Sequence, residues 1–157
     1  MAKPEIIVYE DKYQQQLIDL VQECSKELYN TGTVNIEAFV KRHWAIYLVA
    51  VDNKIVGFSS WAMNDYFGLR LPTMGNTYLY ITPEYRNSRA AYLLAGAQFC
   101  KVSEATNMPI EAYIASDKSR LLLNNRVKGK FLYDVYEYSP EEVKVAFDHL
   151  KKHINFT

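Results

Sequence analysis

A strand–turn–helix segment at residues 80–94 carries the residue types best suited to binding an anion. Its apolar strand stops at a proline, the turn supplies Arg86 and Arg89, and a helix opens on the small residues Ala90 and Ala91. The first N–H groups of a helix have no partners within it, and the helix dipole adds partial positive charge at that end. The pattern is typical of a phosphate site, although an ordinary turn with two solvated arginines would contain the same residues.

The elements that precede this segment must place it in a sheet. Apolar residues predict a first strand at residues 6–9, and apolar spacings of three and four then predict an amphipathic helix from 11 to about 30. A second, short helix is predicted at 35–43. Two apolar runs joined by an Asp-Asn-Lys turn predict a hairpin of strands at 46–51 and 55–61, because Asn tolerates the positive φ that tight hairpin turns need.

The elements around and after the segment complete the sheet. An apolar-rich loop is predicted at 64–76 and a strand at 77–81, ahead of the helix that opens at Ala90. Later patterns predict a strand at 110–115, a short helix ending at 123, a strand at 131–138 and a last helix beginning at Ser139. The order β-α-α-β-β-β-α-β-α-β-α predicts an α/β fold, a mixed and mostly antiparallel sheet with helices on both faces, in a single domain of residues 1–157.

Composition restricts the functions that such a fold could serve. The chain carries 18 basic and 18 acidic side chains, and this zero net charge argues against a protein whose main function is neutralising nucleic-acid phosphates. The sequence has no signal peptide and no stretch long enough to cross a membrane, which predicts a cytoplasmic protein. Cys24 and Cys100 are expected to be two buried thiols. His149 and His153 lack a third ligand, so no metal site is predicted.

Residues 81–94 resemble the acyl-CoA pyrophosphate motif of the GCN5-related N-acetyltransferases, the GNAT family. In that motif a strand ends near Pro, Gln/Arg-x-x-Gly-x-Gly/Ala follows, and a leucine-bearing helix begins; Arg86 matches its first position and Ala91 its last. The hairpin at 48–58 resembles the family's second and third strands, and the element order agrees over essentially the whole chain. The resemblance implies acetyl-CoA as cosubstrate, held by Leu79, Tyr80, Ile81, Arg86, Asn87, Ser88, Arg89, Ala90 and Ala91.

The chemistry implied by this resemblance is direct attack of a primary amine on the thioester of acetyl-CoA. The protein would position the two reactants, offer a backbone N–H near Ile81 to the developing oxyanion, and provide a route for the amine's proton. The cosubstrate would enter between the strands at 77–81 and 110–115, which are therefore expected to splay apart. The acceptor would bind between the loops at 30–35 and 64–76.

Three departures from the family pattern concern this chemistry. Arg89 stands where the motif has its middle glycine, and its guanidinium could either crowd the pyrophosphate or bind it. The tyrosine that usually protonates the leaving thiolate is missing from its expected place, and Tyr133 is the nearby candidate. The strand at 77–81 lacks the glutamate often used as base, although a water chain could serve instead. Other candidates for the base, each of which also fits an ordinary core or surface position, are His43, Asp65 and Glu111.

Three functions remain open. The first is an acetyltransferase acting on a primary amine. The second is a non-catalytic module of this fold used in binding or assembly, which the missing Tyr, Gly and Glu support. The third is a phage-type nucleobase-modifying enzyme of this fold, against which the zero net charge weighs. The loop at 64–76, with Tyr66 and Phe67, is expected both to line the acceptor site and to meet a second subunit in a homodimer, unless its rings fold back onto the sheet.

Overall fold

The computed structural model describes residues 3–112 and 139–147 of the chain. The backbone forms two compact units, Met1–Leu123 and Asn124–Thr157, and each is described by itself. The single domain expected for residues 1–157 stays a prediction. In the described residues, no helix is both long enough and apolar enough to cross a membrane.

Over residues 3–112, the first unit is built on a five-stranded sheet. Its strands are β1 Glu5–Val8, β2 Ala45–Val51, β3 Lys54–Asn64, β4 Thr73–Ile81 and β5 Ile110–Ala112, and its helices are α1 Gln14–Tyr29, α2 Ile36–Arg42 and α3 Arg89–Thr106, with 3-10 turns at Asp11–Tyr13 and Pro83–Tyr85. The strands lie in chain order across the sheet, and neighbours pair antiparallel except β4 and β5, which are parallel. The predicted mixed, mostly antiparallel sheet is confirmed.

The two faces of the sheet pack against different helices. Side chains alternate between the faces along a strand, so Leu48 packs toward α1 and α2 whereas its neighbour Val49 packs toward α3. Phe58 and Val56 of β3 also lie on opposite faces although they are two residues apart, because the pairing of β2 with β3 shifts register at Val56. Helices therefore cover both faces, as the sequence predicts.

A buried polar network fixes α3 on its face of the sheet. The indole N–H of Trp61 donates to Gln98 Oε1 at 2.8 Å and lies 3.2 Å from Ser59 Oγ. Ser59 also donates to Gln98, whose amide nitrogen donates to Leu94 O within the helix. The Phe99 ring meets Trp61 edge-on, with centroids 5.0 Å apart. Each polar atom of this contact is thus hydrogen-bonded, as burial requires.

The β2–β3 hairpin turn follows from its residue types. Asp52 and Asn53 have φ of 50° and 63°. Positive φ at both central residues is the type I′ arrangement, whose twist matches that of the flanking strands. Helices α1 and α3 also end on left-handed asparagines, Asn30 and Asn107, which tolerate that conformation at a helix C-terminus.

The β3–β4 hairpin is longer than predicted. Its strands stay paired out to Asn64 and Thr73, so the loop between them covers residues 65–72. The prediction of a loop at 64–76 is wrong at residues 73–76, which belong to β4. Residues 73–76 include Gly and Asn, which are uncommon in strands. Pairing with β3 on one side and β5 on the other overrides this weak propensity.

The two cysteines differ in their surroundings. Cys24 lies in the core beside the sheet, and burial raises the pKa of its thiol to about 11. Cys100 is exposed, so the expectation that both thiols are buried is wrong. Among the positions of α3 whose burial is described, the buried residues recur at intervals of four and include Gln98 and Val102. Cys100 lies midway between these two, on the opposite side of the helix.

The second unit is described over residues 139–147, which contain helix α4, Pro140–Phe147. The Glu142 N–H donates to Ser139 Oγ at 3.2 Å, and the Ser139 N–H donates to Glu142 Oε2 at 2.9 Å. This reciprocal capping box confirms the predicted helix start, and the bond from Ser139 lowers the pKa of Glu142. The predicted short helix ending at 123, the strand at 131–138, Tyr133, His149 and His153 lie outside the described residues.

Candidate active site

The end of β4 presents peptide groups away from its neighbour β3. The Thr82 N–H donates to Val56 O at 2.9 Å, and Gly57 pairs with Ile81. Hydrogen-bonded and non-hydrogen-bonded pairs alternate in an antiparallel ladder, so the peptide groups of Leu79 and Ile81 point away from β3. Gly57 permits this close pairing, because a Cβ there would lie 2.6 Å from a carbonyl oxygen of β4.

The opposite edge of β4 is paired with β5 only at its start. The pairing between described residues ends at Asn76, and none of them pairs with 77–81 on this side. At the far end of β4, Arg86 Nε donates to Ile81 O at 2.9 Å, so the Arg86 side chain hydrogen-bonds to the strand edge at Ile81. The expected splay of the two strands also depends on residues 113–115, which lie outside the described residues, and it stays a prediction.

The first turn of α3 lies just beyond β4. Ser88 is its N-cap, and the Ser88 hydroxyl accepts from the Ala90 N–H at 3.2 Å. Ala90 is buried in one cluster with Ile81, so the turn is packed directly against the end of the strand. Around this turn the structure places Asn87 and Arg89 at the surface and leaves Ala91 half-buried. The helix N-terminus and its small side chains lie where the sequence predicts them, so the helix dipole favours an anion here. The Ala90 N–H, however, is already capped by Ser88.

Arg86 reaches across to α1. Its guanidinium forms an ion pair with Glu27 and lies 5.4 Å from the centre of the Tyr80 ring. The hydrogen bond to Glu27 raises the pKa of Arg86. Both charged side chains are partly exposed, so the pair contributes little to stability and a phosphate could compete for the arginine.

Two tyrosines of β4 line the surface between this strand and α1. The hydroxyls of Tyr78 and Tyr29 are 3.1 Å apart, and the Tyr80 hydroxyl donates to Glu23 at 3.3 Å. Burial raises the pKa of Tyr78 and of Tyr80 to about 12, so both stay neutral near pH 7. Sequence reasoning misses these pairs, although the alternation along β4 already puts both tyrosines on one face.

Thr77 is an extra residue in β4. The pairing of β3 with β4 shifts register between Ser60 and Trp61, which leaves Thr77 without a partner on β3. A bulge of this kind re-aims a side chain and is often found beside active sites. Here the Thr77 hydroxyl lies 2.8 Å from His43 Nε2 and 2.7 Å from Ser60 Oγ.

Among the three candidates for the base, His43 contacts β4 at this bulge. It is half-buried after the last turn of α2, with Nδ1 2.6 Å from Phe39 O. Burial lowers the pKa of His43, so its imidazole is neutral near pH 7. A neutral imidazole with a nitrogen lone pair is suited to accepting a proton.

Glu111 instead holds the loop between β3 and β4. Its side chain is 8% exposed and accepts from Asn64 Nδ2 at 2.9 Å and from the Tyr66 hydroxyl. The guanidinium of Arg70 lies 3.6 Å from the carboxylate and 4.9 Å from the Tyr66 ring centre. These contacts give Glu111 a structural role in anchoring the loop.

The loop at 65–72 holds Tyr66 half-buried against Glu111 and leaves its other large apolar side chains exposed. Asp65 accepts from the Phe67 N–H at 3.0 Å, which makes it a turn-stabilising residue. Phe67, Leu69 and Leu71 are 93, 90 and 83% exposed. The alternative in which the rings fold back onto the sheet holds for Tyr66, whereas Phe67 faces solvent.

Solved acetyltransferase structures resemble this chain over most of its length. The aminoglycoside acetyltransferase meta-AAC0020 from an uncultured soil metagenomic sample has a TM-score of 0.68 at 14% identity, covering 87% of this chain and 95% of its own. Ribosomal-protein-alanine N-acetyltransferase from Brucella melitensis biovar Abortus 2308 has a TM-score of 0.67 at 14% identity, covering 88 and 100%. The aminoglycoside N-acetyltransferase AAC(6')-Iy in complex with CoA has a TM-score of 0.61 at 13% identity, covering 88 and 95%.

The chain has the GNAT fold. Comparison with models of protein families and with curated proteins gives no match. In this GNAT-fold chain the predicted cosubstrate residues lie together, because β4 leads through one short turn into α3. The structure brings Arg86 and Ala90 onto Ile81, while Tyr133 lies outside the described residues.

Proposed function

We propose that this chain is an N-acetyltransferase that moves the acetyl group of acetyl-CoA to a primary amine by direct attack of the amine. The observation that carries the proposal is the end of β4, where the peptide groups of Leu79 and Ile81 face away from β3 and lead directly to the first turn of α3. The fold adds support, since solved structures that share it include N-acetyltransferases, one of them in complex with CoA.

The end of β4 fits the thioester arm of acetyl-CoA. The amides of that arm can hydrogen-bond to the peptide groups of Leu79 and Ile81 as an added strand would. The Leu79 side chain is 36% exposed and offers an apolar contact, with Tyr80 on the other face of the strand. The N–H groups of Leu79 and Ile81 are donors suited to the oxyanion that develops on the thioester carbonyl.

The turn after β4 fits the pyrophosphate. The dipole of α3 favours an anion there, and Ala90 and Ala91 let it approach the backbone. Asn87, Ser88 and Arg89 flank the same turn. Arg86 could join them by exchanging its ion pair with Glu27 for one with phosphate. We further propose Tyr133 as the proton donor to the leaving thiolate.

Calorimetric titration with acetyl-CoA tests the cosubstrate site. We expect the parent protein to bind, and Arg86→Ala to weaken binding about tenfold or more, because a hydrogen bond to a charged group contributes about 1.5–3 kcal/mol. Lys54→Ala is the control, since this exposed lysine begins β3 beside the hairpin turn. Equal affinities for the two variants would contradict the site.

Turnover with a panel of amines separates the enzyme from a non-catalytic module. The panel contains a peptide with an N-terminal alanine, an aminoglycoside and a lysine peptide, with duplex DNA to test the nucleobase alternative. Release of free thiol supports the transferase. Acetyl-CoA binding without turnover would support the module, which is favoured by the partners that Ala90 N–H and Arg86 already have.

We also propose that the chain forms a homodimer through the loop at 65–72. Three large apolar side chains of this loop are almost fully exposed, and burying them against a second copy removes apolar surface from water. We expect the double variant Phe67→Ser/Leu69→Ser to elute as a monomer in size-exclusion chromatography with unchanged affinity for acetyl-CoA. The control is Val145→Ser, an equally exposed apolar residue on α4. A parent protein that elutes as a monomer would disprove this interface.

A further inference from the structure

His43 is joined to β4 by a short chain of hydrogen bonds. Its Nδ1 lies 2.6 Å from Phe39 O, and because a carbonyl only accepts, Nδ1 carries the hydrogen. In the neutral ring Nε2 therefore holds the lone pair and accepts from the Thr77 hydroxyl at 2.8 Å. The hydroxyl of Ser60, a fully buried residue, completes the chain at 2.7 Å from Thr77 Oγ1.

This series of hydrogen bonds is complete in both protonation states of His43. When Nε2 gains a proton, it can donate to Thr77 Oγ1, and the Thr77 hydroxyl can turn to Ser60 O, which lies 3.1 Å away. The proton therefore arrives without leaving a buried donor or acceptor unpaired. A histidine with a purely structural role needs partners for one state alone, whereas here acceptors are in place for both.

Thr77 lies on β4 two residues before Leu79, one of the two residues proposed to hold the thioester arm. It is the bulged residue of β4 and follows Asn76, the last described residue of β4 that pairs with β5. The residue is half-buried, and the proposal requires the amine to contact its hydroxyl. A hydroxyl has one donor and two acceptor sites. With its hydrogen on His43 and one lone pair on Ser60, the other lone pair of Thr77 can accept from an amine.

We propose that His43 is the proton acceptor of the acetyl transfer and that it acts through Thr77, an inference that rests on the proposed function. The amine nitrogen forms the C–N bond to the acetyl carbon, the C–S bond of the thioester breaks, and CoA leaves as its thiolate. Thr77 Oγ1 takes the proton that the nitrogen loses and passes its own hydroxyl proton to His43 Nε2. The imidazolium then releases a proton to solvent, and the thiolate gains one from the donor proposed for it above, which solvent then reprotonates.

The groups around His43 keep it in the proton-accepting state near pH 7. Burial lowers the pKa of His43, and together with the positive charge of Arg42 it outweighs the hydrogen bond to Phe39 O, which raises that pKa. Tyr9 lines a surface cavity with His43, and Tyr78 follows Thr77 on β4; both tyrosines have raised pKa values and stay neutral. Because the neutral imidazole accepts the proton, turnover should fall as the pH falls through the lowered pKa of His43.

Nitrogen NMR of the imidazoles tests the hydrogen-bond chain without any substrate. The protein has three histidines, and His43→Gln identifies the signal of His43 by removing it. We expect the parent to carry the hydrogen on Nδ1. Thr77→Val, which lacks the hydroxyl, should shift the titration midpoint of His43, whereas Thr77→Ser should not. A parent protein with the hydrogen on Nε2 would overturn the proposal.

The pH dependence of turnover tests the proton transfer, with the best acceptor of the amine panel. We expect His43→Gln and Thr77→Val each to lower kcat by about 10²–10⁴-fold, the usual contribution of a general base. The double variant should be no slower than either single variant, since the two side chains act as a unit. The acidic limb of the kcat profile should vanish in His43→Gln and persist in Thr77→Ser. Tyr9→Phe is the control, because it alters the same cavity and leaves the chain of bonds intact.

Acetyl-CoA affinity distinguishes a failure of this proposal from a failure of the proposed function. Each variant of His43 and Thr77 should bind acetyl-CoA as the parent does. A parent that neither binds acetyl-CoA nor acetylates any amine would disprove the proposed function, and the proton relay with it. An active parent whose His43→Gln variant keeps both its rate and its acidic limb would show that the relay alone is wrong.

Discussion

Replacing Trp61 with Ala should lower the free energy of unfolding by about 3–5 kcal/mol, the range typical of truncating a buried aromatic side chain. Trp61 is fully buried on β3 and meets Phe99 of α3 edge-on. Its indole N–H donates to Gln98 Oε1 at 2.8 Å. Truncation therefore opens a cavity and leaves the buried amide oxygen of Gln98 without the hydrogen bond from Trp61. Both effects destabilise the contact between α3 and the sheet.

Urea unfolding followed by circular dichroism measures this loss. The matched control is Trp44, the other tryptophan of the chain, whose side chain is 51% exposed. Trp44→Ala should change the free energy of unfolding by about 1 kcal/mol or less, as most surface substitutions do. If the two variants unfold at the same urea concentration, Trp61 does not anchor α3 as described.

Leu79→Pro should weaken acetyl-CoA binding by about tenfold to a hundredfold and leave the fold largely stable. Proline has no N–H, and its ring occupies the place where the N–H would donate. The Leu79 N–H points away from β3, so the ladder between β3 and β4 keeps its hydrogen bonds. Leaving one amide of the bound cosubstrate unpaired costs about 1–3 kcal/mol, and each 1.4 kcal/mol is a factor of about ten in affinity.

Val8→Pro is the control for this change. The Tyr9 N–H donates to Ile46 O, so by the same alternation the Val8 N–H points away from β2, at the outer edge of the sheet. The substitution is of the same kind but lies on β1, at the other side of the sheet. Calorimetry should give parent-like affinity for Val8→Pro. Parent-like affinity for Leu79→Pro as well would rule out the edge of β4 as the acetyl-CoA site.

Features that depend on neighbouring residues could be predicted from the sequence. Apolar spacing along residues 17–24 locates α1, because a helix brings those side chains onto one face. Asp52 and Asn53 predict the hairpin turn, because both tolerate positive φ. Ser139 predicts the start of α4 through its capping box with Glu142. In each case the interacting groups are close in sequence, so a short segment of the chain contains the physical cause.

The lengths of strands and the exposure of single positions depended on tertiary contacts. Thr73 begins β4 because β3 and β5 supply hydrogen-bond partners on its two sides, which the sequence of residues 73–76 does not indicate. Cys100 is exposed because α3 packs one stripe against the sheet, although the helix is apolar over most of its length. Burial of a given position is thus set by the partner surface as well as by the local pattern.

The candidate site divides in the same way. Residues 86–91 could be found from the sequence, because a turn and a helix N-terminus are local features that favour an anion. The ion pair of Arg86 with Glu27 joins positions 59 residues apart, and the contact of His43 with Thr77 joins positions 34 apart. Only the packing of α1 and α2 on the sheet, and one bulged residue in β4, bring these groups within hydrogen-bond distance, since no periodicity in the sequence encodes the register of one element against another.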